Sequence, residues 1–461
     1  MKFGVGMADL ALVVLAAGMG TRMNSSLPKV LHKIAGRTML GHVMHAGKAL
    51  GANRAVVIHG TDMAAVQSEA ISIIATCAFA EQKDRLGTGH AVSMAKAALS
   101  DFKGTVLVLY GDVPLIQTQT LQDLLSKLNT KTKMAVLGFE TSNPYGYGRF
   151  IGTKNSITGI REELDASLRE KKITRCNSGI IAIDSTLLWK IVPKLSNKNS
   201  KGEYYLTDLV KLAVKAKTNV AVAMCSEMEV AGVNDRAQLS VLEREFQSQA
   251  RKTAMLGGVT LIDPYTVYFS ADTKIGKDVL IEPNVFFGPK VVVEDEVQIF
   301  ANSHIAQTSI AKGAHIGPFA RLQRGVEIGE GAHIGNFVEV KESILDKSVK
   351  AKHLAYIGNA KLGASTNIGA GTIFCNYDGF DKPFSELGER VFVGSNSSLI
   401  APVKIGNGVN IAAGSVVTKN VPDNALAISR AQLEIKEGWA ARFRAVKQAA
   451  KEAKKKNKEQ H

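Results

Sequence analysis

The stretch KIGKDVLIEPNVFFGPKVVVEDEVQIFANSHI, residues 274–305, places an apolar side chain at every sixth position. After a slip of one residue the same step continues from Ile310 to Val340, and it resumes from Val393 to Val417. Each hexad makes one short strand and one turn with an inward apolar side chain, and stacked coils bury these side chains in one column. The repeat therefore predicts a left-handed parallel β-helix. Its first column comprises Ile275, Ile281, Phe287, Val293, Ile299 and Ile305.

One long helix is predicted immediately before the repeat, at residues 236–256, where apolar residues recur at spacings of three and four. The chain before this helix alternates short β-branched runs with helical stretches, which predicts an α/β Rossmann-like domain with a mostly parallel sheet. The predicted organisation is thus an α/β domain at 1–235, a linker helix, and a β-helix domain at 257–461. A polar block from Cys375 to Arg390 breaks the repeat and predicts a projecting loop.

Composition narrows the class of protein. The chain has 461 residues, 45% of them hydrophobic and 21% charged, which indicates a globular protein of two domains. No apolar run is long enough to span a membrane, and four widely separated cysteines favour a reducing cytoplasm. The net charge of +15 is concentrated partly in the basic C-terminal tail. A solvated helix end explains that tail best; nucleic acid is not expected as a partner, because no aromatic residues interleave with the lysines.

A glycine-rich loop, LAAGMGTRM at residues 15–23, follows the first predicted strand. Such a turn offers backbone N–H groups to a phosphate, and Arg22 and Lys29 add the cations that a triphosphate needs when its α-phosphorus is attacked. No third glycine completes a dinucleotide fingerprint. The strand at 106–110 ends in Gly111-Asp112, where a carboxylate is placed to hold Mg²⁺ against phosphates. Together these residues predict a metal-assisted nucleotidyl transfer.

The loop and the proline-lysine pair that follows it resemble the sugar-phosphate nucleotidyltransferase superfamily. Joined to a hexapeptide β-helix, the chain resembles the family of bacterial bifunctional N-acetylglucosamine-1-phosphate uridylyltransferases/glucosamine-1-phosphate acetyltransferases. The motifs that carry this resemblance are EQKDRLGTGHA, LYGDVPL, GYGR, NSGI, GEYYLTD, HLAYIG, NIGAGTIFCNYDG and NALAISR. The resemblance implies acetyl transfer from acetyl-CoA to glucosamine 1-phosphate, uridylyl transfer from UTP to N-acetylglucosamine 1-phosphate, and a homotrimer with its acetyltransferase site between subunits.

For uridylyl transfer, the resemblance implies that Arg22 stabilises the transferring phosphoryl group and that Asp112 and Asn234 hold Mg²⁺. No general base is needed, because a sugar-phosphate oxygen is already ionised at neutral pH. The other implied contacts to UTP or the product are Leu15, Ala16, Ala17, Gly18, Lys29, Gln82, Gly87, Thr88, Tyr110, Gly111, Gly148, Glu162 and Asn177.

For acetyl transfer, the resemblance implies that His353 is the general base that removes a proton from the attacking amine. The implied contacts to the sugar phosphate are Arg324, Lys341, Tyr356, Asn367 and Lys382. Those to acetyl-CoA are Ala370, Asn376, Tyr377, Ser395, Ala413 and Arg430.

Two departures from the family pattern leave questions open. The usual phosphate-binding Arg position of the β-helix holds Gln323, with Arg324 one step later, so either Arg324 replaces that anchor or the site loses it. The base-reading loop carries Asp84-Arg85 where the family often has Glu-Gln, which leaves the loop's fine contacts open. The alternative function is a single-activity sugar-phosphate nucleotidyltransferase whose β-helix is regulatory or oligomerising.

Overall fold

The computed structural model describes residues 9–61, 63–153 and 156–458. Contact density divides the chain into two units, Met1–Gln307 and Thr308–His461. The first unit holds the α/β fold, one long helix and the first coils of the β-helix, and the second holds the remaining coils and a terminal helix. The predicted boundaries at 235 and 257 follow changes of secondary structure and stay a prediction.

The α/β fold of the first unit is built on one twisted sheet with helices on both faces, as predicted. Its strands are β1 Leu10–Ala16, β2 Lys33–Ile34, β3 Arg37–Thr38, β4 Arg54–His59, β5 Cys77–Glu81, β6 Thr105–Tyr110, β7 Thr132–Glu140, β8 Gly148–Gly152, β9 Ile157–Arg161, β10 Arg175–Asp184 and β11 Asn219–Cys225. Its helices are α1 Met39–Ala49, α2 Ala64–Ile73, α3 Thr88–Met94, α4 Thr118–Leu125, α5 Ser185–Ile191, α6 Asp208–Lys215 and α7 Arg236–Leu256.

The strand order of the main path is β11-β7-β10-β6-β1-β4-β5, and β1 lies parallel to both β4 and β6. Strand β10 runs antiparallel to its neighbours, so the sheet is mixed at that side. Because β1, β4, β5 and β6 are parallel, their carboxyl ends meet at one edge. That edge is where ligands bind in open α/β sheets.

Helix α7 matches its predicted bounds, and Asp235 caps its N-terminus, since the Asp235 carboxylate accepts from the Gln238 N–H. Gln247 is buried, and its amide exchanges two hydrogen bonds with the backbone of Phe269 at 2.7 and 2.8 Å. Glu243, on the same helix, accepts from the Ala35 N–H at 2.7 Å. All three bonds use buried or half-buried backbone groups, so they fix the middle of α7.

The hexapeptide region forms three parallel sheets in which each coil contributes one short strand to each sheet, and the predicted left-handed parallel β-helix is confirmed. In the first unit its strands are β12 Thr260–Leu261, β13 Lys274–Ile275, β14 Leu280–Ile281, β15 Phe286–Phe287, β16 Val291–Val293, β17 Gln298–Ile299 and β18 His304–Ile305.

In the second unit each strand pairs with the one three places further along the chain until the last coil. The second unit contains β19 Thr308–Ile310, β20 His315–Ile316, β21 Arg321–Gln323, β22 Val326–Ile328, β23 His333–Asn336, β24 Glu339–Lys341, β25 Ile344–Leu345, β26 Lys350–His353, β27 Tyr356–Gly358, β28 Ala360–Leu362, β29 Asn367–Ile368, β30 Ile373–Cys375, β31 Ser385–Leu387, β32 Phe392–Val393, β33 Ser398–Ile400, β34 Lys404–Ile405, β35 Asn410–Ile411, β36 Val416–Val417, β37 Leu426–Ala427 and helix α8 Trp439–Lys458.

The projecting loop is shorter than predicted. The chain leaves the coil after Cys375 and re-enters it at Ser385, where β31 pairs with β28 and buries Ser385 and Leu387. The prediction of a loop from Cys375 to Arg390 was therefore wrong for its last part, because one coil strand lies inside the polar block.

Candidate active sites

The phosphate loop lies at the carboxyl end of β1. Gly20 has φ +65°, and a Cβ at this position would lie 2.5 Å from the Cβ of Lys29, so only glycine lets the two segments approach. The Gly111 N–H donates to the Leu15 carbonyl at 2.9 Å, which joins the end of β6 to the end of β1. The fold thus brings Lys29, Gly111 and the loop together.

Each predicted metal ligand touches a cation in this structure. The Lys29 ammonium lies 2.5 Å from Asp112 Oδ2, and the Arg22 guanidinium donates to Asn234 Oδ1 at 3.1 Å. The Val233 N–H donates to the Asp112 carbonyl at 3.1 Å, which places Asn234 beside Asp112. A carboxylate and an amide oxygen side by side, with room for substrate phosphates, fit Mg²⁺, which is usually held by one or two carboxylates plus phosphates.

Many of the residues predicted to bind UTP line one cavity of 230 Å³. Gln82, at the end of β5, is buried, and its amide donates to the Gly87 carbonyl at 3.1 Å, which holds the base-reading loop (residues 82–88) closed on itself. Burial raises the pKa of Tyr110. The predicted residues in the lining are Leu15, Ala16, Ala17, Gly18, Lys29, Gln82, Gly87, Thr88, Tyr110 and Asp112.

Three further predicted residues meet beside one another but outside that lining. Gly148 and Asn177 are register partners in β8 and β10, and the Glu162 carboxylate lies over Gly148. The Thr207 hydroxyl donates to Glu162 at 2.8 Å, while burial raises the pKa of Glu162. Asn177 Oδ1 is buried without a hydrogen-bond partner among the described residues. An unsatisfied buried acceptor is costly, so this atom points to a ligand hydroxyl or amide that completes it.

In the second unit, three predicted cations gather at one place. The pKa of Lys341 is lowered by partial burial and then by the neighbouring charges of Lys382 and Arg324. Like charges repel one another, so such a cluster favours a dianionic phosphate among them. Gln323 is the register partner of Lys341, but its amide donates to Glu339 at 2.7 Å and is thereby engaged within the protein. Arg324, whose charge acts on Lys341, is therefore our candidate for the replacement anchor.

His353 lies at the end of β26 and is exposed. Its Nδ1 lies 2.8 Å from Asn336 Oδ1, one coil earlier, and the two residues are register partners. In the neutral imidazole, a proton on Nδ1 satisfies that amide oxygen and leaves Nε2 with its lone pair. This tautomer is the one that a general base requires.

Tyr356 and Asn376 meet at Gly358. A Cβ on Gly358 would lie 2.5 Å from the Tyr356 hydroxyl and 2.6 Å from Asn376 Nδ2, so this glycine makes room for both polar groups. Asn376 is buried and donates to Asn359 Oδ1 at 2.7 Å. Asn367 is half-buried in β29, which pairs with β26, the strand that carries His353, and it is in register with Lys350. Tyr377 is exposed, and its hydroxyl donates to the Gly379 carbonyl within the projecting loop.

The predicted acetyl-CoA contacts Ala370, Ser395 and Ala413 form a column of backbone corners. The Asn396 N–H donates to the Ala370 carbonyl and the Gly414 N–H to the Ser395 carbonyl, both at 2.8 Å. Arg430 donates to the Ala413 carbonyl at 3.0 Å and so extends the column. These residues are stacked at the turns of successive coils, with a cation at one end. Such an arrangement suits an extended ligand that carries phosphates.

Sequence reasoning missed the residues that hold the predicted ones. Asn336 orients His353, Thr207 binds Glu162, and Asn359 binds Asn376. Asn336 and Asn359 each lie 17 residues from their partners. A search at the spacing of one full coil would have found them. Arg85, a departure from the family pattern, lines the UTP cavity.

Comparison with known proteins agrees with both folds. Residues 12–174 match the MobA-like NTP transferase domain, and residues 307–342 and 384–419 match the bacterial transferase hexapeptide repeats. The chain is 51% identical over 451 residues to the bifunctional protein GlmU of Paramagnetospirillum magneticum, covering 97% of this chain and 99% of that protein. It is 48% identical to the bifunctional protein GlmU of Azorhizobium caulinodans, covering 95% of this chain and 98% of that one. Within the described ranges, no helix has the length and hydropathy needed to cross a bilayer.

Proposed function

The chain belongs to the family of bifunctional GlmU proteins, and we propose on that premise which residues carry each of its two reactions. It is a bifunctional transferase that makes UDP-N-acetylglucosamine. It transfers acetyl from acetyl-CoA to glucosamine 1-phosphate, and then uridylyl from UTP to N-acetylglucosamine 1-phosphate with release of pyrophosphate.

In uridylyl transfer, a phosphate oxygen of N-acetylglucosamine 1-phosphate bonds to the α-phosphorus of UTP while the bond to the pyrophosphate leaving group breaks. Arg22 and Lys29 offset the charge that builds up on the phosphates, and the backbone of residues 15–18 positions the nucleotide. Glu162 and Asn177 bind the sugar. Asp112 and Asn234 would hold Mg²⁺, which supplies further positive charge to the phosphate chain when bound.

In acetyl transfer, His353 Nε2 accepts the proton that the amine of glucosamine 1-phosphate loses as its nitrogen attacks the thioester carbonyl. The tetrahedral intermediate then collapses and the CoA thiolate leaves. Arg324, Lys341 and Lys382 bind the sugar phosphate, and Tyr356 and Asn367 contact the sugar. Acetyl-CoA lies along Ala370, Ser395 and Ala413, with Asn376, Tyr377 and Arg430 against it.

The observation that supports the second activity is the contact between His353 Nδ1 and Asn336 Oδ1, because in the neutral ring it leaves Nε2 to act as the base. A coupled assay tests the function: purified protein receives glucosamine 1-phosphate, acetyl-CoA, UTP and Mg²⁺, and CoA thiol and pyrophosphate are followed separately. We expect both products, and pyrophosphate only when acetyl-CoA or N-acetylglucosamine 1-phosphate is present. Pyrophosphate from N-acetylglucosamine 1-phosphate without any CoA release would favour the single-activity alternative.

We extend the proposal to the oligomeric state of the protein and to its location in the cell. Hexapeptide β-helices favour oligomers, and we expect a homotrimer that completes the acetyltransferase site between subunits. The four cysteines are free thiols, which supports a location in the reducing cytoplasm. Sedimentation of the purified protein tests the trimer, and a monomer with full acetyltransferase activity would contradict it.

A further inference from the structure

Arg85 joins two loops of the nucleotide site. It lies in the base-reading loop, and its Nε donates to the Ala17 carbonyl of the phosphate loop at 3.1 Å. Its Nη2 lies 3.2 Å from the place that a Cβ on Gly60 would occupy, at the carboxyl end of β4. The side chain lines the same cavity as Lys29 and Asp112. The Nε atom of the guanidinium therefore binds protein, and the side chain forms part of the cavity wall.

Among the residues that the structure describes, Lys29 forms an ion pair and Arg85 does not. Lys29 forms an ion pair with Asp112, so its net effect on a phosphate chain is reduced. Within the described residues, no carboxylate pairs with the Arg85 guanidinium. A guanidinium has five N–H donors and no acceptor, and its geometry matches phosphate oxygens. Arg85 forms an ion pair with neither carboxylate of the cavity lining, Asp112 or Glu203, so its charge stays available to an anionic ligand.

We propose that Arg85 is a third cation of the nucleotide site, which ties the base-reading loop to the phosphate loop through Nε and binds the phosphate chain of UTP through its amino groups. The proposal rests on the proposed uridylyl transfer and adds a residue to it. Uracil is a poorer match for Arg85, because it is neutral and one of its edges needs an acceptor. Charge-assisted bonds to phosphate are about twice as strong as neutral ones.

The test compares UTP with uridine as ligands of the same pocket. We expect Arg85→Gln to weaken UTP binding, measured by calorimetry, by about tenfold, which is the loss of one charge-assisted contact. Uridine, measured by competition with UTP, should bind with unchanged affinity. Arg85→Lys keeps the charge but loses the forked geometry of the guanidinium. Its affinity for UTP should lie between that of Arg85→Gln and that of the parent chain.

Lys83→Gln is the matched control, because Lys83 is an exposed cation of the same loop that does not line the cavity. This control should leave UTP binding unchanged. Equal weakening of UTP and uridine by Arg85→Gln would show a purely structural loop tie and overturn the phosphate contact. An unchanged affinity for UTP would overturn the whole proposal. If the parent chain binds UTP but releases no pyrophosphate once N-acetylglucosamine 1-phosphate and Mg²⁺ are added, the proposed function fails while the role of Arg85 in binding is still decided.

Discussion

The α/β unit and the β-helix unit build their sites in opposite ways. In the α/β unit, loops after several parallel strands converge on one cavity, whose charged lining residues are Lys29, Arg85, Asp112 and Glu203. In the β-helix unit, successive coils place side chains at corresponding positions, as with His353 and Asn336. The first site needs no base because its nucleophile is ionised. The second needs one because an amine must lose a proton.

Because of this difference, the effect of a substitution should spread further in one site than in the other. The site of the α/β unit depends on long-range contacts such as Arg22–Asn234. A substitution in one loop therefore changes the relative positions of the loops. A stacked site depends on neighbours one coil away, such as His353–Asn336, so a change stays within adjacent coils. Variants of one site should therefore leave the reaction of the other intact.

The largest effect should come from His353→Ala. Removing the base should lower kcat of acetyl transfer by about 10²- to 10⁴-fold, because general base catalysis contributes that much. Pyrophosphate release from UTP and N-acetylglucosamine 1-phosphate should stay at the parent rate. Acetyl transfer is measured as CoA thiol release. Parallel loss of both reactions would mean that the substitution acts through folding, and would contradict the separation of the sites.

A smaller effect is expected from Arg324→Ala, which removes one cation of the phosphate cluster. We expect KM for glucosamine 1-phosphate to rise about tenfold with kcat nearly unchanged, since a charge-assisted bond is lost equally in ground and transition states. The double variant Gln323→Arg, Arg324→Pro restores the family pattern and serves as the matched control. Its KM should equal that of the parent chain. A tenfold lower KM in the double variant would show that Arg324 is no adequate replacement.

The smallest effect concerns the pH dependence of uridylyl transfer. Burial raises the pKa of Glu162, so its carboxylate is protonated, and lost as an acceptor for sugar hydroxyls, at a higher pH than an ordinary glutamate. KM for N-acetylglucosamine 1-phosphate should therefore rise as the pH falls through that raised pKa. Thr207→Val removes the hydroxyl bond that lowers this pKa, and should move the rise to higher pH. Glu162→Gln should abolish the pH-dependent rise; if the rise persists, another group titrates.

The sequence predicted the register of only part of the hexapeptide repeat. The prediction left residues 341–392 without a register, yet the buried column continues there through Leu345, Ala351, Ile357 and Leu362. Two steps of five, from Val340 to Leu345 and from Ile357 to Leu362, and one small Ala interrupt the pattern. A coil tolerates a step of five because its turn can be one residue shorter. A search that requires a strict period of six does not detect such coils.

The sequence by itself determined the two folds, the helix at 236–256 and the phosphate loop, because a period of six, a period of 3.6 and a glycine turn are local properties of the chain. Only the tertiary structure decided which side chains meet. Arg85 reaches Ala17 across 68 residues, Arg22 reaches Asn234 across 212, and Arg324 rather than Gln323 joins the cations at Lys341. These contacts depend on the packing of distant segments and on the direction of each side chain, and neither leaves a periodic signal in the sequence.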